Sequence, residues 1–181
     1  MPRTKKEKSI EWLIKTYMPF FENFGMEEQN IRSYYEEWKV EFSTNINDFL
    51  WHIFNTLLHE NATQSKDLER FYKRNIEIYS EMLYLRRKLE GKAANEIQKC
   101  LNRNKLELQF DSSNLELNVI VATTKDCEAC KEIYNKEFPI REVIKSDVIP
   151  YENCTRKIGC ACVYTFKPIR DENDNLIRKS K

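Results

Sequence analysis

Apolar side chains recur at intervals of three and four through residues 1–103 of this 181-residue chain. This spacing is the period of one face of an α-helix, whereas the side chains of a strand alternate with a period of two. Breaks at Gly25, at residues 43–45 and at residues 61–65 divide the apolar stretch into four segments. The spacing therefore predicts a helical bundle over residues 1–103, with Ser9 as the N-cap of its first helix.

The fourth segment predicts the longest helix, over residues 65–90, with a continuation past Gly91 to Leu101. Its apolar positions form a heptad stripe in which one position carries the polar Asn75. Two interpretations stay open: the helix is the central spine of the bundle, or Asn75 sets the register of a dimer. We expect a protein partner or a second copy of the chain to pack on this helix. The stripe consists of Leu68, Phe71, Asn75, Ile78, Met82, Leu85 and Leu89.

Beyond residue 103 the period changes to two. Alternating apolar residues at 106–110 and at 115–121 flank the polar residues 111–114, which predicts a β-hairpin. The sequence as a whole predicts an α+β fold that is mainly α, in which a helical bundle precedes a small, Cys-rich, zinc-ribbon-like β module. The predicted parts are the bundle 1–103, the β module 104–169 with its last strand at 160–166, and a flexible tail 170–181.

Composition excludes several classes of protein. The chain has 30 Lys and Arg against 29 Asp and Glu, and this balance does not fit a protein that coats nucleic acid. No apolar run approaches the ~18 residues of a transmembrane helix, and the basic residues 1–8 lead into no apolar signal core. We expect a cytoplasmic protein that does not enter a membrane.

Five of the six cysteines lie in the last third of the chain, in the layout C-x2-C, 23 residues, C-x5-C-x-C. Zinc in structural sites takes four tetrahedral thiolate or imidazole ligands, often from such paired cysteines. We expect one structural zinc ion, bound by Cys127 and Cys130 with two of Cys154, Cys160 and Cys162. The spacing does not decide which of the last three is surplus, and disulfides or unpaired thiols are the weaker interpretation in a cytoplasmic protein.

A thioredoxin-like redox site is the alternative for the C-x2-C pair. An apolar stretch at residues 117–122 precedes Cys127, and the pair lies where a helix could begin and lower the pKa of the first thiol. A thioredoxin-like domain needs further strands and helices, however, and only about fifty residues follow the motif. The redox interpretation also leaves the C-x5-C-x-C cluster without a role.

Residues 127–168 resemble the Cys-rich C-terminal module of phage Mu F-like minor head proteins. The resemblance rests on Cys127-x-x-Cys130, on residues 134–140 with their Phe-Pro pair, on residues 149–154, and on Gly159-Cys160-Ala161-Cys162. The chain departs from the family where Asn135 replaces the usual glycine and where no histidine precedes the final cysteines. The resemblance implies a structural module, not an enzyme, in a protein of phage or mobile-element origin.

These observations predict a non-enzymatic, zinc-binding interaction or assembly protein. A nucleic-acid-binding zinc protein is a further alternative, because basic residues at 86–88, 99–105 and 156–157 and the rings of Tyr151 and Tyr164 lie near the cysteines in sequence or flank them. The two histidines, His52 and His59, lie on an apolar helix without a metal-binding motif, and we expect ordinary packing roles for them.

Overall fold

The computed structural model describes residues 9–123 and 127–179. The basic segment 1–8 and the last two residues of the predicted flexible tail lie outside these ranges. The helices are α1 (Ile10–Glu22), α2 (Glu28–Glu41), α3 (Ile46–Gln64), α4 (Leu68–Tyr84) with a π-helical extension (Leu85–Leu89), α5 (Asn95–Ser112), α6 (Glu128–Lys131) and α7 (Ile140–Ser146). The strands are β1 (Leu117–Ala122), β2 (Glu137–Pro139) and β3 (Val163–Pro168).

The predicted fold class is confirmed: the chain is mainly α-helical, with a small antiparallel sheet and a Cys-rich C-terminal region. The strands are ordered β2-β1-β3. In the register, Val119 of β1 lies opposite Phe138 of β2 and Phe166 of β3. None of the helices in the described part of the chain is both long enough and apolar enough to span a membrane.

The chain forms two compact units, residues 1–60 and residues 61–181. The sequence placed its boundary at residue 103 instead, and that residue lies inside α5. The first unit contains α1, α2 and most of α3. The second contains α4, α5, the sheet and all six cysteines.

Aromatic side chains form the core of the first unit. Phe49 and Phe54 of α3 are fully buried, and the ring centroids of Tyr17 and Phe20 of α1 lie 5.9 and 5.7 Å from that of Phe54. The predicted N-cap is confirmed, because Ser9 Oγ accepts a hydrogen bond from the Trp12 amide at 3.4 Å. Burial of several large rings stabilises this small unit, whose sequence contains no cysteine.

His52 belongs to this aromatic packing. Its Nε2 atom hydrogen-bonds to Tyr34 Oη, and its ring stacks on Trp38 at a centroid distance of 6.3 Å. These contacts account for a polar ring among apolar neighbours, as a packing role requires.

The helix predicted at 65–101 is interrupted. The α-helix ends at Tyr84, the π-helical turn ends at Leu89, and Gly91 then adopts a left-handed φ of +69°. The continuation to Leu101 is therefore wrong, because a glycine in this conformation ends a helix instead of extending it.

Asn75 is buried in the second unit and hydrogen-bonded within the chain. Its Oδ1 atom accepts from Asn61 Nδ2 at 2.8 Å, and its Nδ2 atom donates to Asn104 Oδ1 at 2.9 Å. The polar heptad position is thus satisfied by α3 and α5, which is the contact expected of a central helix.

The predicted β-hairpin is wrong in its first half, because residues 95–112 form helix α5. The buried face of α5 includes Gln98, with Leu101 and Asn102 three and four residues later, and Leu106 four residues beyond Asn102. The Gln98 and Asn102 side chains hydrogen-bond to each other at 3.0 Å. Two polar residues on the buried face hide the helical period from a search for apolar residues, so the local alternation at 106–110 misled the prediction.

The end of the chain also differs from the predicted free tail. Residues 170–179 turn back on themselves. Their backbone forms two isolated antiparallel β-bridges, one between Arg170 and Leu176 and one between Arg178 and Leu115. The Glu116 amide donates to the Ile177 carbonyl at 2.9 Å. These bonds follow a turn that the sequence did not indicate, in which Asp171 Oδ1 accepts from two later amides.

Candidate metal centre

Three separate segments bring five cysteines together. Cys127 is the N-cap of α6 and Cys130 lies within that short helix. Cys154 and Cys160 lie in the loop between α7 and β3, and Cys162 immediately precedes β3. Helix α6 follows β1, the central strand, while β3 pairs with β1 along its whole length. The sheet thereby places the two cysteine motifs beside each other.

The five sulfur atoms form two groups that share Cys130. The Sγ atoms of Cys127, Cys130 and Cys154 lie within 4.8 Å of one another, and so do those of Cys130, Cys160 and Cys162. The Cys127 and Cys154 sulfurs are 3.8 Å apart. Two thiolates on one tetrahedral zinc ion, with Zn–S bonds near 2.3 Å, are separated by about 3.8 Å. The Cys127–Cys154 distance therefore equals that of two zinc ligands, and the two groups meet at Cys130.

The cluster is buried in an apolar shell. Of its cysteines only Cys154 has appreciable exposure, while the other four are at most 2% exposed. The surrounding buried core contains seven residues, of which four are cysteines and three are aliphatic: Val121, Ile133 and Ile149. All of the cysteines are free thiols. The cysteines therefore form the larger part of the buried core here, and partly buried apolar residues pack around it.

Backbone amides are directed at the sulfur atoms of Cys127, Cys154 and Cys160. The Thr155 and Cys130 amides hydrogen-bond to Cys127 and lower its pKa to about 6. Burial raises the pKa of Cys160, but hydrogen bonds from the Cys162 and Tyr151 amides and from the Cys162 and Cys130 thiols together outweigh that effect, so its pKa is lowered. An amide that donates to sulfur stabilises the thiolate, which is the form that binds a metal ion.

The remaining thiols are held in their neutral form when no metal is bound. Burial raises the pKa of Cys130 strongly and that of Cys162 to about 12. Burial also raises the pKa of Cys154, although the Arg156 amide opposes it. A divalent cation reverses this balance, because it supplies the positive charge that buried thiolates lack.

The loop that carries Cys160 is fixed on the helices of the same unit. Arg87 donates from Nε to the Ile158 carbonyl at 3.0 Å and from Nη2 to the Cys160 carbonyl at 2.5 Å. The Cys160 amide donates to Asn95 Oδ1 at 3.0 Å. Gly159 has φ +89°, and a Cβ atom there would lie 2.5 Å from the same Asn95 oxygen. The absence of a side chain at Gly159 therefore permits the close approach of this loop to Asn95.

All five cysteines singled out by the sequence lie in this cluster. Cys100 lies on α5 and His52 and His59 on α3, and within residues 9–123 and 127–179 no histidine or carboxylate joins the two groups. Sequence reasoning missed Arg87 and Asn95, which contact the loop across more than sixty residues of chain. Gly159 was the one local sign that another segment approaches closely.

Four of the basic residues expected near the cysteines have partners within the chain. Arg86 pairs with Glu90 at 2.7 Å, and Lys99 and Arg103 both pair with Asp147, at 3.2 and 2.5 Å. Arg87 hydrogen-bonds to the backbone of the cysteine loop, as described above. These cations are therefore partly neutralised, which weakens the case for phosphate binding at this surface.

The two rings expected to stack on bases also have partners within the chain. The Tyr164 hydroxyl accepts from the Ile149 amide at 2.9 Å, and its ring packs against both apolar clusters beside the sheet. The Tyr151 hydroxyl donates to Glu132 at 2.7 Å. A base that stacked on Tyr151 would meet this carboxylate.

Fold and site together define a mainly α-helical protein with a small antiparallel sheet and a buried five-cysteine cluster able to hold a metal ion. Comparisons of the chain with protein-family models, with curated proteins and with solved structures returned no match. The function is therefore argued from the site.

Proposed function

We propose that the cluster binds one structural zinc ion and that the protein is a non-enzymatic interaction or assembly protein. The observation that carries the proposal is the pair of three-thiol groups that share the buried Cys130. Four thiolates close the coordination shell of zinc, so water and substrate have no open position on the metal. Such a site stabilises a fold and does not catalyse a reaction.

The proposed ligands are Cys127, Cys130, Cys154 and Cys160. Cys160 is preferred to Cys162 because two backbone amides, those of Cys162 and Tyr151, are directed at its sulfur. Amide donors of this kind orient a metal-bound thiolate and stabilise its charge. Cys162 is then the surplus thiol, packed against the cluster.

A metal ion meets a structural need at this end of the molecule. The sheet has three strands, of which β2 contains three residues, and four of the seven buried residues at its cysteine end are thiols. Only three of the seven are aliphatic, and bound zinc supplies folding free energy directly. Free thiols and zinc also suit the reducing conditions of the cytoplasm, where we place the protein.

An interaction or assembly role rests on two supports. The first is the resemblance of residues 127–168 to the Cys-rich module of Mu F-like minor head proteins, which favours a phage or mobile-element origin. The second is the exposure of Leu68 and Tyr84 on α4, at 62% and 50%. We propose that a protein partner or a second copy of the chain binds along residues 65–90.

A thiol oxidoreductase is the second candidate, and one observation favours it. Cys127 is the N-cap of α6 in a C-x2-C pair, and its pKa is lowered to about 6, as in the reactive thiol of a redox site. However, α6 has four residues, and the described strands are all antiparallel, unlike the sheet that carries a thioredoxin motif. The sulfur of a third cysteine, Cys154, lies 3.8 Å from that of Cys127. A redox site needs only two cysteines, whereas a metal site uses the third.

Metal content per chain and the number of reactive thiols, measured on the same reduced native sample, distinguish the two candidates. We expect one zinc ion per chain and four thiols that react only after chelation or denaturation. Absence of bound metal, together with reversible conversion of Cys127 and Cys130 between dithiol and disulfide, would instead establish the redox function. Sedimentation over a range of protein concentrations then tests self-association through α4.

A further inference from the structure

We propose that Arg87 is the positioning residue of the metal centre: its guanidinium holds the Cys160 segment in the binding geometry and offsets the negative charge of the bound thiolates. The inference rests on the proposed metal site. Arg87 touches no ligand sulfur through a hydrogen bond, since its contacts with the segment are to the Ile158 and Cys160 carbonyls. It therefore acts through the backbone that carries the ligand.

The geometry leaves the guanidinium little freedom. Its Nε and Nη2 atoms donate to two carbonyls that lie on either side of Gly159. Its Nη1 atom donates to Gln98 Oε1 at 3.0 Å, and Gln98 is itself hydrogen-bonded to Asn102. A planar fork with all three nitrogens engaged fixes the loop in two directions at once, which a lysine ammonium cannot do.

The helix that carries Arg87 is shaped for this contact. Residues Leu85–Leu89 form a π-helical turn, and the Glu90 amide bonds the Leu85 carbonyl at 3.0 Å, five residues back. The turn forms the C-terminal end of α4, and its wider winding sets the direction in which the Arg87 side chain projects. Arg86, one residue earlier, pairs with Glu90 of the same helix. Two adjacent arginines thus have different partners.

Charge supports the same role. One Zn²⁺ ion with four thiolates carries a net charge of −2, and this charge lies in a buried cluster. The Arg87 guanidinium lies partly buried against the Cys160 carbonyl. Because an arginine remains protonated throughout, it places a permanent cation beside the ligands. Coulombic attraction in a partly buried site is stronger than at the surface.

Zinc competition against a chelator of known affinity, together with the absorption spectrum of the Co²⁺-substituted protein, tests the inference on the full chain. Variant Arg87→Met removes both the charge and the fork, Arg87→Lys keeps the charge alone, and Arg86→Met is the matched control. We expect Arg87→Met to weaken zinc binding by about 10- to 100-fold, the usual effect of losing a partner of a metal ligand. Arg87→Lys should weaken it less, and Arg86→Met should bind as the wild type does.

The Co²⁺ spectrum separates positioning from general stability. We expect the thiolate-to-cobalt absorption and the ligand-field bands to change in Arg87→Met and to stay unchanged in Arg86→Met. A wild-type zinc affinity and cobalt spectrum in Arg87→Met would overturn the inference while leaving the metal site intact. If Arg87→Met does not fold, Arg87→Lys decides, and wild-type binding by that variant overturns the positioning role of the fork.

Failure of the proposed function looks different. In that case the wild-type chain itself takes up neither Zn²⁺ nor Co²⁺. The positioning role of Arg87 then fails with the site that it was proposed to organise.

Discussion

The two compact units of this protein are stabilised by different chemistry. In residues 1–60 the core is built from aromatic rings on three helices, and large apolar surfaces are buried there without a cysteine. In residues 61–181 the sheet end has a core in which thiols outnumber aliphatic side chains. We therefore expect the first unit to depend on burial of its rings and the cysteine end of the sheet to depend on a bound metal ion, because only three of the seven buried residues in that cluster are aliphatic.

The largest expected effect comes from Cys130→Ser, which removes the thiol shared by both groups. Structural zinc contributes on the order of 10 kcal/mol, so its loss should unfold the cysteine region and the sheet. We expect the loss to reach α5, because Asn95 and Arg87 contact the cysteine loop. Hydrogen exchange should show lost protection in residues 95–168 and retained protection in α1–α3. Equal loss in α1–α3 would show that the chain unfolds as one cooperative domain.

Phe54→Ala makes the opposite test in the first unit. The ring is fully buried among Tyr17, Phe20 and Phe21, and its removal should cost about 3–5 kcal/mol. Zinc content per chain should remain at the wild-type value, because the cluster lies in the other unit. Chemical denaturation with an aromatic fluorescence probe measures the cost. Loss of zinc from this variant would contradict the prediction that the aromatic core of residues 1–60 and the metal site are stabilised independently.

A smaller effect is expected of Gly159→Ala. The added Cβ meets Asn95 Oδ1 at 2.5 Å, and the backbone has a φ of +89° that an alanine rarely adopts. We expect a cost of about 1–3 kcal/mol, from strain and from displacement of the Cys160 segment. Zinc affinity should fall together with stability. Thermal unfolding with and without a chelator separates the two, and a variant equally stable in both conditions would contradict the link between loop and metal.

Cys162→Ser should have the smallest effect on metal binding. If Cys162 is the surplus thiol, the variant keeps one zinc ion per chain, and only the packing of one buried sulfur changes. The matched variant Cys160→Ser should lose the metal. Inductively coupled plasma mass spectrometry of both variants checks the assignment, and the reverse result would exchange the roles of the two cysteines.

Local patterns predicted the helices of the first unit and the five cysteines of the cluster. The N-cap at Ser9, the break at Gly25 and the C-x2-C pair are properties of a few neighbouring residues, and each is present in the structure. Helix α5 was missed for a tertiary reason: Gln98 and Asn102 lie on its buried face, where Gln98 Nε2 donates to Asn102 Oδ1. Polar residues in a sequence are normally assigned to the exposed face of a helix, so a buried polar pair is misassigned.

The sequence by itself determined that the chain is mainly helical with a Cys-rich β region at its end, because helical period and cysteine spacing are both local. Only the tertiary structure decided that Cys130 is shared between two thiol groups, and that Arg87 holds the Cys160 loop from seventy-three residues away. Such contacts depend on how β1, β3 and the π-helical turn come together. Residue spacing reports only on nearby positions of the chain, so it cannot predict contacts between segments that are distant in sequence.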